Sequence, residues 1–145
     1  MFGRTWNVYT TNIVGSLIRN RNQVKQVIDF TGVQNGKLHP SDIDFVLEFD
    51  NEILILGEVK RKYNKIPTGQ RLILERICDA WGEKSIAIKV EHQFDDDSKN
   101  IPLEECKVTA WYETQVGWHF LKEPFDFIEF INNLGKKWNN KKCSF

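Results

Sequence analysis

The sequence predicts an α/β sandwich around a central mixed sheet, and three observations carry that reading. A continuous apolar run, Ile53-Leu54-Ile55-Leu56, follows the turn-like Asp50-Asn51-Glu52. Two later segments, Arg71–Gly82 and the stretch after Pro124, place apolar residues at helical spacing. Between them lie short apolar runs of strand length, so helices and strands interleave along the chain.

Taken in order, Ile13, Val14, Leu17 and Ile18 suit one face of an N-terminal helix. Val24–Phe30 continues that helix or forms a short strand, and Thr31–Gly36 is a loop. Asp42–Phe49 alternates early and then turns apolar, as a strand does when only part of it is covered. Ile53–Lys60 is its hairpin partner, apolar on both faces and ending in charge. Next comes a helix with Thr68 as N-cap, Gly82 as the residue that stops it, and Ile73, Ile77, Ala80 and Trp81 as its inward face. Ser85–Val90 and Cys106–Tyr112 read as strands, the acidic Asp95-Asp96-Asp97 heads a solvated loop, and Gly117 turns the chain into Trp118–Leu121. The last helix starts near Pro124. Asp126 and Glu129 sit at the positive end of its dipole, Lys136 and Lys137 at the negative end, and Phe127, Phe130, Ile131 and Leu134 point inward.

At 145 residues the chain suits one domain over residues 1–145, since two separate cores would each be short of buried apolar surface. Its three cysteines (Cys78, Cys106, Cys143) are odd in number and have no C-x-x-C spacing. A disulfide framework and a zinc ribbon are not expected, and a reducing, cytoplasmic setting is. Neither a signal peptide nor a membrane span can be read, so no membrane partner is expected. The net charge of zero excludes nothing, but the charges are unevenly spread. Residues 1–41 hold Arg4, Arg19, Arg21, Lys25 and Lys37 against Asp29, whereas residues 91–105 hold six acids against Lys99. A phosphate-binding face is compatible with that map, and so is an ordinary solvated surface.

The chemistry concentrates on the hairpin. Glu58 and Lys60 end an apolar strand, where ionised groups are costly unless paired or holding a cation. Strand alternation puts these two on one face, and likewise Asp42, Asp44 and Glu48 on the preceding strand. A three-residue loop, Asp50-Asn51-Glu52, sets Asp44 opposite Glu58 and Asp42 opposite Lys60, with opposed Cβ atoms roughly 5 Å apart. A two-residue loop sets Asp44 opposite Gly57 and turns Glu58 away. The first register is the physically preferred one because it neutralises Lys60 beside the carboxylates. Two close carboxylates invite a hard divalent cation, Mg²⁺ or Mn²⁺. A surface salt bridge on an edge strand is the plainer alternative.

Asp44 followed by Glu58-Val59-Lys60 resembles the D…E-x-K signature of the PD-(D/E)XK nuclease superfamily. Pro40-Ser41-Asp42-Ile43-Asp44, Gly57-Glu58-Val59-Lys60 and Gly69-Gln70 fall in that family's strand–turn–strand–helix order, and the stretch from Pro40 to Glu91 is similar to small phage and prophage members. The resemblance implies a restriction-endonuclease-like sandwich and divalent-metal-dependent hydrolysis of phosphodiester bonds by a DNA endonuclease. It implies Asp44, Glu58 and the Val59 carbonyl as metal ligands and Lys60 as the residue that positions water. Gln70 would contact water or phosphate, or else make local helix-end hydrogen bonds. Asp42 is a rival for the role of Asp44 or a partner of Lys60. DNA is the expected partner, with a homodimer among the expected states. The chain departs from many members in lacking an upstream glutamate, with only Asp29 before the hairpin. That departure leaves open an inactive nuclease-fold module that binds nucleic acid or protein.

Overall fold

A computed structural model describes residues 31–33, 35–36, 40–95 and 100–145. The expected N-terminal helix, Val24–Phe30, Asp29 and most of the Asp95–Asp97 loop lie outside these residues. The chain divides into two units, Met1–Pro40 and Ser41–Phe145, and the second is the one described below.

That second unit is α/β, with helices on a five-stranded mixed sheet. Its elements are β1 (Phe45–Phe49), β2 (Ile53–Arg61), α1 (Thr68–Trp81), β3 (Ser85–His92), a 3-10 turn at Leu103–Glu105, β4 (Lys107–Glu113), β5 (Gly117–Asp126) and α2 (Phe127–Lys137). The strands lie side by side in chain order. Only the β2–β3 pair is parallel, because α1 carries the chain back across the sheet between them; the other pairs are antiparallel.

β2 is the spine. Ile53 to Glu58 are all buried, which an unbroken apolar run makes possible only in an interior strand covered on both faces. Ile53 and Ile55 join Ile86, Ile88, Val90 and Val108 beneath Phe127, Ile131 and Leu134 of α2. Leu54, Leu56, Ala87 and Tyr112 form the opposite layer beneath Leu74 and Cys78 of α1. Each fully buried aliphatic side chain contributes about 1.5–3 kcal/mol, so the sheet is held mainly by these two apolar layers.

The inward face of α1 differs from the expected one. Leu74 and Cys78 are buried, Ile73 and Ile77 are half-buried, and Ala80 and Trp81 are exposed. The Trp81 indole instead donates to the Glu52 carbonyl at 3.0 Å. Thr68 is the first helical residue, not the cap; Pro67 precedes the helix, and no side chain caps it. Gly82 does end α1, at φ 112°, which a side chain would resist.

α2 begins at Phe127, three residues after the expected Pro124. Asp126 is its N-cap and accepts from the Glu129 amide at 3.3 Å. Pro124 belongs to β5, an edge strand, where a missing N–H breaks no ladder. All three cysteines are buried and free. Among the described residues no helix is long and apolar enough to cross a membrane.

Candidate functional site

The loop between β1 and β2 decides how the hairpin acids meet. Phe49 pairs with Ile53 and Phe45 with Gly57, so Asp50, Asn51 and Glu52 form a three-residue connection. Asp50 and Asn51 both take the left-handed backbone (φ 54° and 59°), a conformation that these two residue types tolerate best after glycine. The Glu52 amide closes the turn on the Phe49 carbonyl at 2.9 Å. The paired ladder stops at Phe45 and Gly57, short of the expected strand start at Asp42: Asp42 and Asp44 precede β1, and Ile43 between them packs against the layer beneath α1.

Side-chain contacts, not ladder pairing, bring the two acids to the inner strand. Asp44 Oδ2 accepts from the Val59 amide at 2.7 Å, which fixes the exposed carboxylate against the inner strand. Lys60 Nζ lies 3.7 Å from Glu58 Oε2. It also donates to Gln70 Oε1 at 3.4 Å, and Gln70 Nε2 donates to Asp42 Oδ1 at 3.3 Å. Gln70 therefore bridges Lys60 and Asp42: a lysine can only donate and a carboxylate can only accept, so one amide satisfies both. This is the arrangement in place of a direct Asp42–Lys60 pair or of local bonds at the end of α1. Glu48 is exposed near the turn, apart from the cluster.

Glu58 is the unusual member. Its side chain is 1 % exposed, yet neither carboxylate oxygen has a hydrogen-bond partner among the described residues. Burial, and next the Asp44 charge, push its pKa up to about 7, with Lys60 opposing them only in part. A buried carboxylate without a hydrogen-bond partner among the described residues, beside a second carboxylate and offset only by Lys60 at 3.7 Å, leaves negative charge that a further cation would balance. Among the described residues no group of three or more His, Cys, Asp or Glu side chains is gathered to hold a metal alone. Two carboxylates nevertheless suit Mg²⁺, which keeps several of its waters and takes one or two protein carboxylates. Asp44 and Glu58 are the residues that could hold it. Val59 contributes its amide to Asp44, and its side chain packs against the layer under α2.

The row continues beyond the hairpin. Glu58 pairs with Lys89 on β3, Lys89 with Ala110 on β4, and Ala110 with Phe120 on β5. Paired residues on neighbouring strands share a face, so Glu58, Lys89, Ala110 and Phe120 form one line across the α1 side of the sheet. Lys89 donates to Glu91 at 2.8 Å, and Glu91 also accepts from Thr109 Oγ1 at 2.9 Å and the Tyr63 amide at 3.2 Å. Burial pushes Glu91 up, but these three donors outweigh it and hold the carboxyl below its usual range. Thr109 reaches Glu91 from an irregularity in the β3–β4 ladder, where Val90 pairs with Val108 and Lys89 with Ala110. Sequence reasoning missed Lys89, although a lone charge in the apolar strand Ser85–Val90 was the available signal.

No family model, curated protein or solved structure matches the chain.

Proposed function

We propose that the chain is a divalent-metal-dependent nuclease of the PD-(D/E)XK type, with a restriction-endonuclease-like fold, hydrolysing phosphodiester bonds in DNA. The observation that carries this reading is the buried Glu58 carboxylate, without a hydrogen-bond partner among the described residues, beside Asp44 and ion-paired to Lys60. The order of Asp44 just before β1, Glu58-Val59-Lys60 on β2 and Gln70 at the start of α1 supports it.

In this reading Asp44 and Glu58 hold Mg²⁺ or Mn²⁺, with the Val59 carbonyl as a further ligand. The cation supplies Lewis acidity, easing deprotonation of water and offsetting charge on the reacting phosphate. Lys60, steered by Gln70, donates toward the attacking water or the phosphate oxygens and balances charge as the phosphorus becomes five-coordinate. Gln70, itself held by Asp42, orients the ammonium group beside Glu58.

Cleavage of plasmid and branched DNA with Mg²⁺ or Mn²⁺ tests the assignment. Lys60→Ala, Glu58→Ala and Asp44→Ala should each cut about 10²–10⁴-fold more slowly than wild type. Equal cutting by wild type and the three variants removes it. A second reading, a non-catalytic module that binds nucleic acid or protein, is favoured by the lack of a third clustered acid among the described residues. Metal-independent binding of DNA without cleavage, unchanged by Asp44→Ala, would select it.

A further inference from the structure

Beside the carboxylates, on the same face of the sheet, runs an open groove of about 440 Å³ lined by Tyr63, Lys65, Arg71, Lys89, Trp118 and Phe120, with Ala110 and Ile66 between them. Its lining contains three cations and no acid. Arg71 and Lys89 each have a carboxylate neighbour, Glu75 at 3.8 Å and Glu91 at 2.8 Å, whereas Lys65 has no ion-pair partner among the described residues. The aromatic side is equally distinctive. Phe120 is 79 % exposed and Tyr63 82 %, an exposure unusual for rings of this size. Phe120 stacks on Trp118 with centroids 6.4 Å apart and planes 26° apart, and the Trp118 indole is anchored to Glu75 at 3.2 Å. Tyr63 is set at the groove by a left-handed backbone (φ 71°) and by its amide bond to Glu91.

We infer that this groove binds an unpaired stretch of a nucleic-acid strand, with a base on the Phe120–Trp118 platform and backbone phosphates against Lys65 and Arg71. Flat rings accept any base by stacking, and the cations track the backbone, which is the combination that single strands require. Ala110, the small residue in the row, leaves room above the sheet for a base to enter. From Glu58 to Phe120 the row crosses three strand spacings, about 14 Å, a reach of no more than about four nucleotides at ~3.4 Å each. A strand gripped at Phe120 would therefore deliver a nearby phosphodiester to Asp44 and Glu58. The inference takes its orientation from the nuclease reading, but the binding it describes is measured without metal.

The test is fluorescence anisotropy of labelled dT12, U12 and a blunt 12-base-pair DNA duplex against the full chain in EDTA. Wild type should bind a single strand more tightly than the duplex, and the dT12 and U12 arms tell whether the strand is DNA or RNA. Phe120→Ala should weaken single-strand binding about tenfold or more, while Phe120→Trp restores it. Lys65→Ala should lower the slope of log K against log salt by about 0.7. Phe120 is exposed, so an unchanged thermal melt of Phe120→Ala shows that lost binding is not lost folding. Duplex bound as tightly as single strands, or Phe120→Ala binding like wild type, overturns the groove even if the protein cuts DNA. Single-strand binding that depends on Phe120 in a protein that cuts nothing upholds the groove and removes only the nuclease reading.

Discussion

The ring of Phe45 occupies the space that a β-carbon on Gly57 would need: an added Cβ would lie 1.9 Å from the Phe45 Cζ. The two residues are paired across the hairpin, and the same ring meets Phe127 of α2 edge-on with centroids 5.7 Å apart. The glycine before Glu58 thus allows an aromatic plug to lock β1 against β2, one residue from the candidate site.

Gly57→Ala should therefore destabilise the protein by about 1–3 kcal/mol through overpacking. In a Phe45→Ala background the same change should cost much less, because the obstructing ring is gone. Urea melts of the two single variants and the double variant give the coupling directly. Additive losses would show that the ring can step aside.

Glu58 gives the metal-free protein a stability profile opposite to that of an ordinary paired carboxylate. Its folded pKa of about 7 lies above the usual 4.5, so the folded state keeps a proton that the unfolded chain has already lost. The associated stability is complete below about pH 4.5, falls as pH rises toward 7 and stays lost above it. The difference is on the order of 3 kcal/mol. Glu58→Gln should abolish that slope and be the more stable protein at pH 8 without metal. Adding Mn²⁺ at pH 8 should raise the melting temperature of wild type and leave Glu58→Gln nearly unmoved.

Gln70→Ala removes the bridge between Lys60 and Asp42. Cleavage should fall about tenfold or more through misplacement of the ammonium group, with KM and Mn²⁺ affinity close to wild type. The melt should shift by no more than about 0.5 kcal/mol, because the amide is only half-buried. Equal loss of metal binding and rate would place Gln70 in a different role.

Glu91→Gln weakens a hub that holds Lys89, Thr109 and the Tyr63 amide. Amide hydrogen exchange at residues 62–66 should accelerate, and the charge-assisted bond to Lys89 should be lost at a cost of about 1–3 kcal/mol. Unchanged exchange would mean that the loop is held by other contacts.

Much of this was legible in the residues. Ile53–Leu56 could only be an interior strand, and charges at its end flagged Glu58 and Lys60 before any register was known. The face of α1 was not legible: Ile73/Ile77 and Leu74/Cys78 are equally apolar rows four residues apart, and only the sheet decides which row it covers. Trp81 carries the same ambiguity, since an indole at the helix end can reach the Glu52 carbonyl as well as a core. The start of α2 is not readable from Pro124, which suits a helix start and an edge strand alike. The Glu58–Phe120 row lay beyond reach, since it needs the parallel β2–β3 register and the irregular β3–β4 and β4–β5 ladders.

The loop from Asp50 to Glu52 acts as a reading frame for the sheet. Its chemistry is replaceable by any residues that accept the same backbone angles, but its length is not. Deleting one residue would swap the two sides of β1 relative to β2, so that Phe45 would face the water and Glu48 the grease. Substitutions in the loop should therefore be tolerated where single insertions or deletions are not, and homologues should vary there in letter and never in number.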